Sequence, residues 1–309
     1  MPIGRPMAAS RRIVTLLPAA TEIVAALGAG TSLVGVSHEC DYPEWVSRLP
    51  RLTMSPIDPN ATAARIDEDV RRLRAEGRPV IGVDGEMLRR LAPDLIVTQG
   101  LCEVCAVADG EVHRLATLLD PSPTVISLGA TTLAGIWSDI HRVGETLGLT
   151  GEAERLVEAL TRRLARLATA APSMRPRRIA CIEWLAPPYL AGHWVPELVA
   201  AAGGHDIGAR AGDHSTVRSW REVAALEPEM VLVMLCGFGV ERATRDLDAL
   251  TDPVARELLE AVPVWVLDGN AYTSRPGPRV VDGAARIRAA LDDKEVPGVR
   301  RWRSAKRAA

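Results

Sequence analysis

The chain has one phenylalanine in 309 residues, beside three tyrosines and seven tryptophans. With aromatics this scarce, the core must be built from aliphatic side chains, and any place where several aromatics gather calls for an explanation. A dominant sign of charge is also missing: 37 Lys and Arg against 39 Asp and Glu leave a formal net charge of −2. That removes the electrostatic case for nucleic acid or an anionic membrane surface as partner. The one basic cluster, "VRRWRSAKRAA" at the carboxyl end, reads as a solvated tail. No run of about 18 apolar residues occurs, so no membrane-spanning helix is expected. The opening "MPIGRPMAASRRIVTLLPAA" carries arginines, but the apolar run behind them breaks at Pro18, unlike an export signal. A cytoplasmic location is the expectation. Five cysteines, an odd number, do not make a disulfide framework and suit reduced thiols. Catalytic signatures are lacking as well: there is no G-x-S-x-G elbow, no Walker A loop and no G-x-G-x-x-G. Cys40 near His38 offers a nucleophile and base without a third orienting group, so binding is expected rather than catalysis.

What is present is a loose internal repeat. The phrase "LRRLAPDLIVTQGLC" (88–102) is a helix end, a Pro-Asp turn and an apolar strand, and "VAALEPEMVLVMLCG" (223–237) repeats it. Leu91, Pro93 and Asp94 correspond to Leu226, Pro228 and Glu229. The Pro-led strands "PTVISLGA" and "PVWVLDGN" form a second pair. Each half opens on Arg-Arg, a strand, a Pro-bearing turn, a helix and glycines: "RRIVTLLPAATEIVAALGAG" and "RRIACIEWLAPPYLAGHWVPELVAAAGG". Between the halves, residues 131–172 keep helical apolar spacing, with one break expected near Gly148 and Gly151. The expected organisation is an α/β lobe over 12–130, a connecting helix over 131–172, a second α/β lobe over 173–292 and a basic tail over 293–309. Strands alternating with helices predict mostly parallel sheets flanked by helices.

In such sheets ligands bind beyond the carboxyl ends of the strands. Pro18 in "LPAATE", His38 and Cys40 in "SHECDYP", and Cys102 and Cys105 in "VTQGLCEVCAV" all follow predicted strands of the first half, and Cys236 in "CGF" follows one in the second. Thiolate and imidazole together suit zinc, an iron–sulfur cluster or another soft metal. Yet a lone C-x-x-C is a weak signal, which reads more simply as cysteines that pack or line a cleft and least of all as a redox pair. Cys181 lies inside a strand and reads as core. The second half gathers the scarce aromatics: Trp184, Tyr189 and Trp194 accompany His193 in "EWLAPPYLAGHWVPE", a flat apolar surface for a ligand. His214, Tyr272 and Arg275 fall in Gly- or Pro-rich loops, where ligand contacts concentrate.

Together, "RIVTLLPAATEIVAALGAGTSLVGVSHECDYP", "RLAPDLIVTQ", the mid-chain helix and "PPYLAGHWVPELVAAAGG" resemble the helical-backbone class (class III) of ABC-transporter solute-binding proteins, in its cobalamin-binding branch. The resemblance covers about residues 12–292. It implies two α/β lobes joined by a long rigid helix, with a corrinoid such as cobalamin held between them; other members carry haem, siderophores or metal ions. It also implies that an acidic residue near a helix start on each lobe meets an ABC permease. Glu86 stands at that place in the first half. In the second the place is Arg221, with Glu222 one step on, so a permease partner is expected only weakly.

Overall fold

A computed structural model describes residues 11–100, 107–169 and 175–303. The chain divides into two compact units. The first is built from residues up to 58 with 69–129 and 139–156, and the second from 59–68, 130–138 and 157 onward. The elements are, in order, β1 (Ile13–Thr15), α1 (Pro18–Ala26), β2 (Leu33–Val36), β3 (Thr53–Met54), α2 (Ala63–Ala75), β4 (Gly82–Val83), α3 (Gly85–Leu91), β5 (Leu95–Gln99), α4 (Asp109–Thr117), β6 (Thr124–Leu128), α5 (Leu133–Leu147) and α6 (Thr150–Thr169). They continue with β7 (Arg177–Leu185), β8 (Pro188–Leu190), α7 (Val195–Ala201), β9 (Gly204–Asp206), β10 (Thr216–Val217), α8 (Trp220–Ala225), β11 (Met230–Val233), α9 (Val240–Asp248), α10 (Pro253–Ala261), β12 (Val264–Leu267), α11 (Gly269–Tyr272), α12 (Val280–Leu291) and β13 (Val299–Trp302).

The first unit's main sheet runs β2-β1-β5-β6, every pair parallel. In the second unit the order is β10-β8-β7-β11-β12-β13, with β9 also on β7. There β7, β9, β11 and β12 are parallel, while β8 and β13 run against their neighbours. The mostly parallel α/β architecture read from the repeat is therefore present in both units. Its strands are apolar throughout because helices cover both faces: Ile13, Val14, Leu95, Ile96 and Val97 in one sheet and Met230 to Val233 in the other are all 0% exposed. Within the second unit, the segment 59–68 adds Ala63 and Ile66 to the core. Asp246 Oδ2 accepts the Ala63 N–H at 2.8 Å, and Arg242 donates to the Ala61 carbonyl at 2.8 Å.

The repeated turn before β5 and β11 has a repeated bonding scheme. Ala92 and Glu227 end α3 and the α8 turn with φ of +40° and +50°, the left-handed step that closes a helix before a proline. One residue beyond Pro93, Asp94 Oδ2 accepts the Arg12 N–H at 2.7 Å; beyond Pro228, Glu229 Oε2 accepts the Arg178 N–H at 2.8 Å. Each arginine side chain then turns back to the last helical carbonyls, Arg12 Nε to Leu91 O at 2.7 Å and Arg178 to Leu226 O at 2.6 Å. The backbone completes the clasp, because Asp94 N–H and Glu229 N–H donate to the Arg12 and Arg178 carbonyls. Orphan carbonyls at a helix end and orphan amides at a strand start are satisfied together.

The break expected near Gly148 and Gly151 falls at Gly148, between α5 and α6; its φ of +71° only glycine adopts without strain, and Gly151 lies inside α6. One expectation changes. Residues 299–302, expected within a solvated tail, form β13 on β12. Val299 and Trp302, at the two ends of the strand, are buried, the Trp302 indole donates to Asp248 at 2.8 Å, and the arginines between them pair with Glu241 and Asp293.

One buried acid is out of place energetically. Asp206, at the end of β9, is 7% exposed; its Oδ1 accepts the Gly208 N–H at 2.8 Å, and its Oδ2 has no partner. Burial pushes its carboxyl up to about 6, against the backbone amides and the Cys181 thiol that favour the charged form. A raised acid stabilises the fold fully below the ordinary carboxylate range, and that stability is lost as pH rises through about 6.

Asp206→Asn, which keeps the Gly208 acceptor, is expected to gain about 2 kcal/mol on the natural protein between pH 4 and pH 7. Urea unfolding at both pH values measures it, and parallel stability curves would contradict the assignment. Asp94→Ala, which opens the clasp of the first unit, is expected to lower stability by about 1–3 kcal/mol in the same assay.

Candidate functional site

In both sheets the strand order reverses beside the first strand, at β1–β5 and at β7–β11, and the loops beyond those carboxyl ends are the natural ligand positions. In the second unit these loops bring together residues that the sequence kept apart. Trp184, near the end of β7, stands opposite Tyr189 of β8 in the antiparallel register. From the loop after β11, the chain's single Phe, Phe238, meets the Trp184 ring edge-on at 5.4 Å between centroids. The Arg242 guanidinium lies 3.5 Å over Phe238. Trp184 is half-buried and its indole N–H has no partner, whereas Cys236, half-buried in the same loop, donates its N–H to Glu183 O at 3.1 Å. Trp184 and Tyr189, two of the three aromatics expected to share a surface with His193, are thus cross-strand neighbours. Phe238 and Arg242 were missed, although a lone phenylalanine just after a strand end was a usable signal.

The histidines form a second cluster where β8 turns into α7. His193 Nε2 and His214 Nδ1 are 3.3 Å apart, with the rings perpendicular and 5.2 Å between centroids. His193 has φ of +55° and its Nδ1 is 3.5 Å from Ser215 Oγ. Burial, and then the charge of His214, lower the His193 pKa below the ordinary imidazole value. The neighbouring Gly192 is required here, since a Cβ on it would stand 2.4 Å from the Asp213 carbonyl oxygen and 2.7 Å from His214 C.

Three other candidates are occupied in holding the fold. Trp194 is 6% exposed and its indole donates to the Thr273 carbonyl at 2.9 Å. Arg275 is 5% exposed and donates to Asn270 Oδ1 at 2.8 Å. Tyr272 accepts from Arg286 at 2.9 Å, and that guanidinium also covers its ring at 3.8 Å. For these three the ligand-facing role expected from loop position gives way to packing, because the loop after α11 folds inward onto α7 and α12 instead of outward.

In the first unit, Pro18 opens α1 directly after β1 and is half-buried. His38 Nδ1 is 2.6 Å from Thr53 Oγ1, and burial followed by the charge of Arg51 lowers its pKa. Cys40 is 1% exposed, its thiol 3.1 Å from Thr21 Oγ1. Tyr42, two residues on, is 47% exposed. Cys102 and Cys105 lie outside the described residues. Among the described residues no three His, Cys, Asp or Glu side chains converge, so His38, Cys40 and Cys236 are not gathered into a metal centre, and zinc or iron–sulfur chemistry gains no support. The thiols of Cys40 and Cys181 are buried; Cys181 is core, as its strand position predicts.

The acidic positions can now be matched. Glu86 is exposed at the second residue of α3, after the Asp84 N-cap. The second residue of α8, after the Ser219 N-cap, is Arg221. Glu222 completes a capping box, its carboxylate accepting Ser219 N–H at 2.7 Å and Ser219 Oγ–H at 2.8 Å, which lowers its pKa. Elsewhere in the second unit, an open cavity of about 560 Å³ lies at the amino ends of β7 and β11, lined by Arg178, His205, Asp206, Arg210, Asp213 and Glu227 among others. Among the described residues no helix is long and apolar enough to cross a membrane.

A model of the family described as "Periplasmic binding protein" matches residues 13–263. A cobalamin-binding protein of Halobacterium salinarum is 25% identical over 89% of this chain and 68% of its own length. A vitamin B12-binding protein of Vibrio cholerae serotype O1 is 24% identical over 90% of this chain and 88% of its own. Among solved structures, a periplasmic heme binding protein from Pseudomonas aeruginosa superposes with a TM-score of 0.70 at 20% identity, over 95% of this chain and 98% of that one. These matches overturn the cytoplasmic location expected from the amino terminus. That expectation rested on leading residues outside the described structure, whereas residues 13–263 match a family described as periplasmic.

Proposed function

The chain belongs to the periplasmic binding protein family, and from that membership we propose that it is a non-catalytic carrier of a corrinoid of the cobalamin type. Solute binding follows from the family; the corrinoid is our reading. Its main support is that relatives named for cobalamin and vitamin B12 align over about nine-tenths of this chain. The half-buried Trp184–Tyr189 pair, backed by Phe238, supplies the second unit's apolar face for a flat macrocycle, and His193 and His214 offer nitrogens to its amide-bearing edges.

Haem is the second reading. It is favoured by the fold shared with a heme binding protein and by an imidazole pair that includes an exposed ring. Catalysis is no part of this reading; His38 Nδ1 and the Cys40 thiol each sit against a threonine. For delivery we propose an ABC permease as partner, with Glu86 the first unit's acidic contact. On the second unit Arg221 stands in the matching place, and Glu222 beside it is held by its cap.

Cyanocobalamin titrated into micromolar protein is expected to raise the melting temperature by mass action. Tyr189→Ala is expected to weaken binding about tenfold, or about 1.4 kcal/mol. Hemin in the same titration separates the readings: a Soret shift at one equivalent with no response to cyanocobalamin would replace corrinoid by haem, and no response to either would remove both.

A further inference from the structure

The loop 207–215 of the second unit is pinned at both ends by groups that change charge in mild acid. At its start, Asp206 Oδ1 holds the Gly208 N–H at 2.8 Å. At its tip, His193 N–H donates to Asp213 O at 2.6 Å, Gly212 N–H to His193 O at 2.9 Å and Gly192 N–H to Ser215 Oγ at 3.2 Å. Over these bonds His193 Nε2 faces His214 Nδ1 at 3.3 Å. One proton fits between two ring nitrogens at that separation, so one imidazole donates and the other accepts. When both carry a proton there, two N–H groups and two positive charges oppose each other.

Few groups offset that repulsion. His193 is half-buried with the Trp194 ring 5.6 Å away. The nearby chain contributes Arg210 and Asp213, both exposed, and from α7 Glu197, whose carboxylate accepts the Leu133 N–H at 2.7 Å. The facing residue of the strand edge is neutral Ser215, and the Thr273 carbonyl is taken by Trp194. The charge that shifts His193 is that of His214, second to burial, and both act in one direction.

We infer that the His193–His214 contact is an acid-released clasp on the tip of loop 207–215, closed while the two imidazoles share one proton and opened when each holds its own. The sign follows from His193 titrating below its ordinary value in the folded state: its contribution is complete above the ordinary imidazole value and is lost as pH falls below it to the lowered folded value. Asp206 acts oppositely, becoming neutral in acid while its bond to Gly208 persists, so loosening is confined to the tip. The consequence for ligand rests on the reading above, in which His214 touches it; the clasp itself belongs to the ligand-free chain.

Hydrogen exchange on the ligand-free protein tests it without any ligand. After correction for intrinsic rates, protection of the Gly212 and His193 amides is expected to be about tenfold lower at pH 5.5 than at pH 7.5. In His214→Gln, which cannot be protonated, protection should not change with pH. Equal protection at both pH values in the natural protein, or the same drop in the variant, overturns the clasp. Imidazole titration by NMR of the natural protein is the second measurement, where His193 and His214 titrating independently at the ordinary value would also overturn it.

Discussion

Both units depend on an arginine clasp at the start of their central strands. In a parallel sheet the strand must begin where a helix has just ended, and at that corner a row of carbonyls and a row of amides are both without partners. Arg12 and Arg178 meet the two needs with one residue each: the backbone amide goes to Asp94 or Glu229, the backbone carbonyl takes the amide of that same acid, and the guanidinium reaches the helix end. A left-handed residue and a proline aim the chain into the strand. The register of β1 on β5 and of β7 on β11 is set from these corners, and the position of every loop at the opposite ends of those strands follows from the register.

Those opposite ends hold the chemistry. Trp184 and Phe238 come from strands that are neighbours only because β11 crosses over to lie beside β7. The histidine pair has another origin, in the edge of the same sheet, where β8 runs back along β7 and β10 pairs with β8. Gly192 lets those backbones approach, and Trp194, anchored on Thr273, keeps the start of α7 in place behind them. The aromatic pair and the histidine pair thus lean on one scaffold while differing in exposure. The first is stiff and apolar, the second open to water and responsive to pH.

Under the proposed carrier role, the aromatic pair of the second unit is the surface that accepts a flat molecule and lets it go. Catalysis would ask for a nucleophile and base within reach and a third group to orient them. Among the described residues the Cys40 thiol is buried against Thr21, His38 sits against Thr53, and His193 and His214 face each other.

Much of the fold was legible in the sequence because its signals are local. Apolar runs, Arg-Arg openings, Pro-Asp and Pro-Glu turns and helical spacing each depend on residues within one or two turns of chain, and they placed the parallel strands and the two-unit organisation. That Trp184, Tyr189 and His193 stand near one another was legible for the same reason, since they share one short stretch of chain at the end of β7, in β8 and just beyond it. The sequence could not decide which loop residues face outward. Trp194, Tyr272 and Arg275 occupy loops of the same composition, yet Thr273, Arg286 and Asn270, distant or unremarkable in the sequence, draw them inward. Nor could it place Phe238 against Trp184, or show that Val299 and Trp302 make the last strand of a sheet and not a tail. Those outcomes depend on strand order and on which polar atom lacks a partner, and both are settled only when the whole sheet has formed.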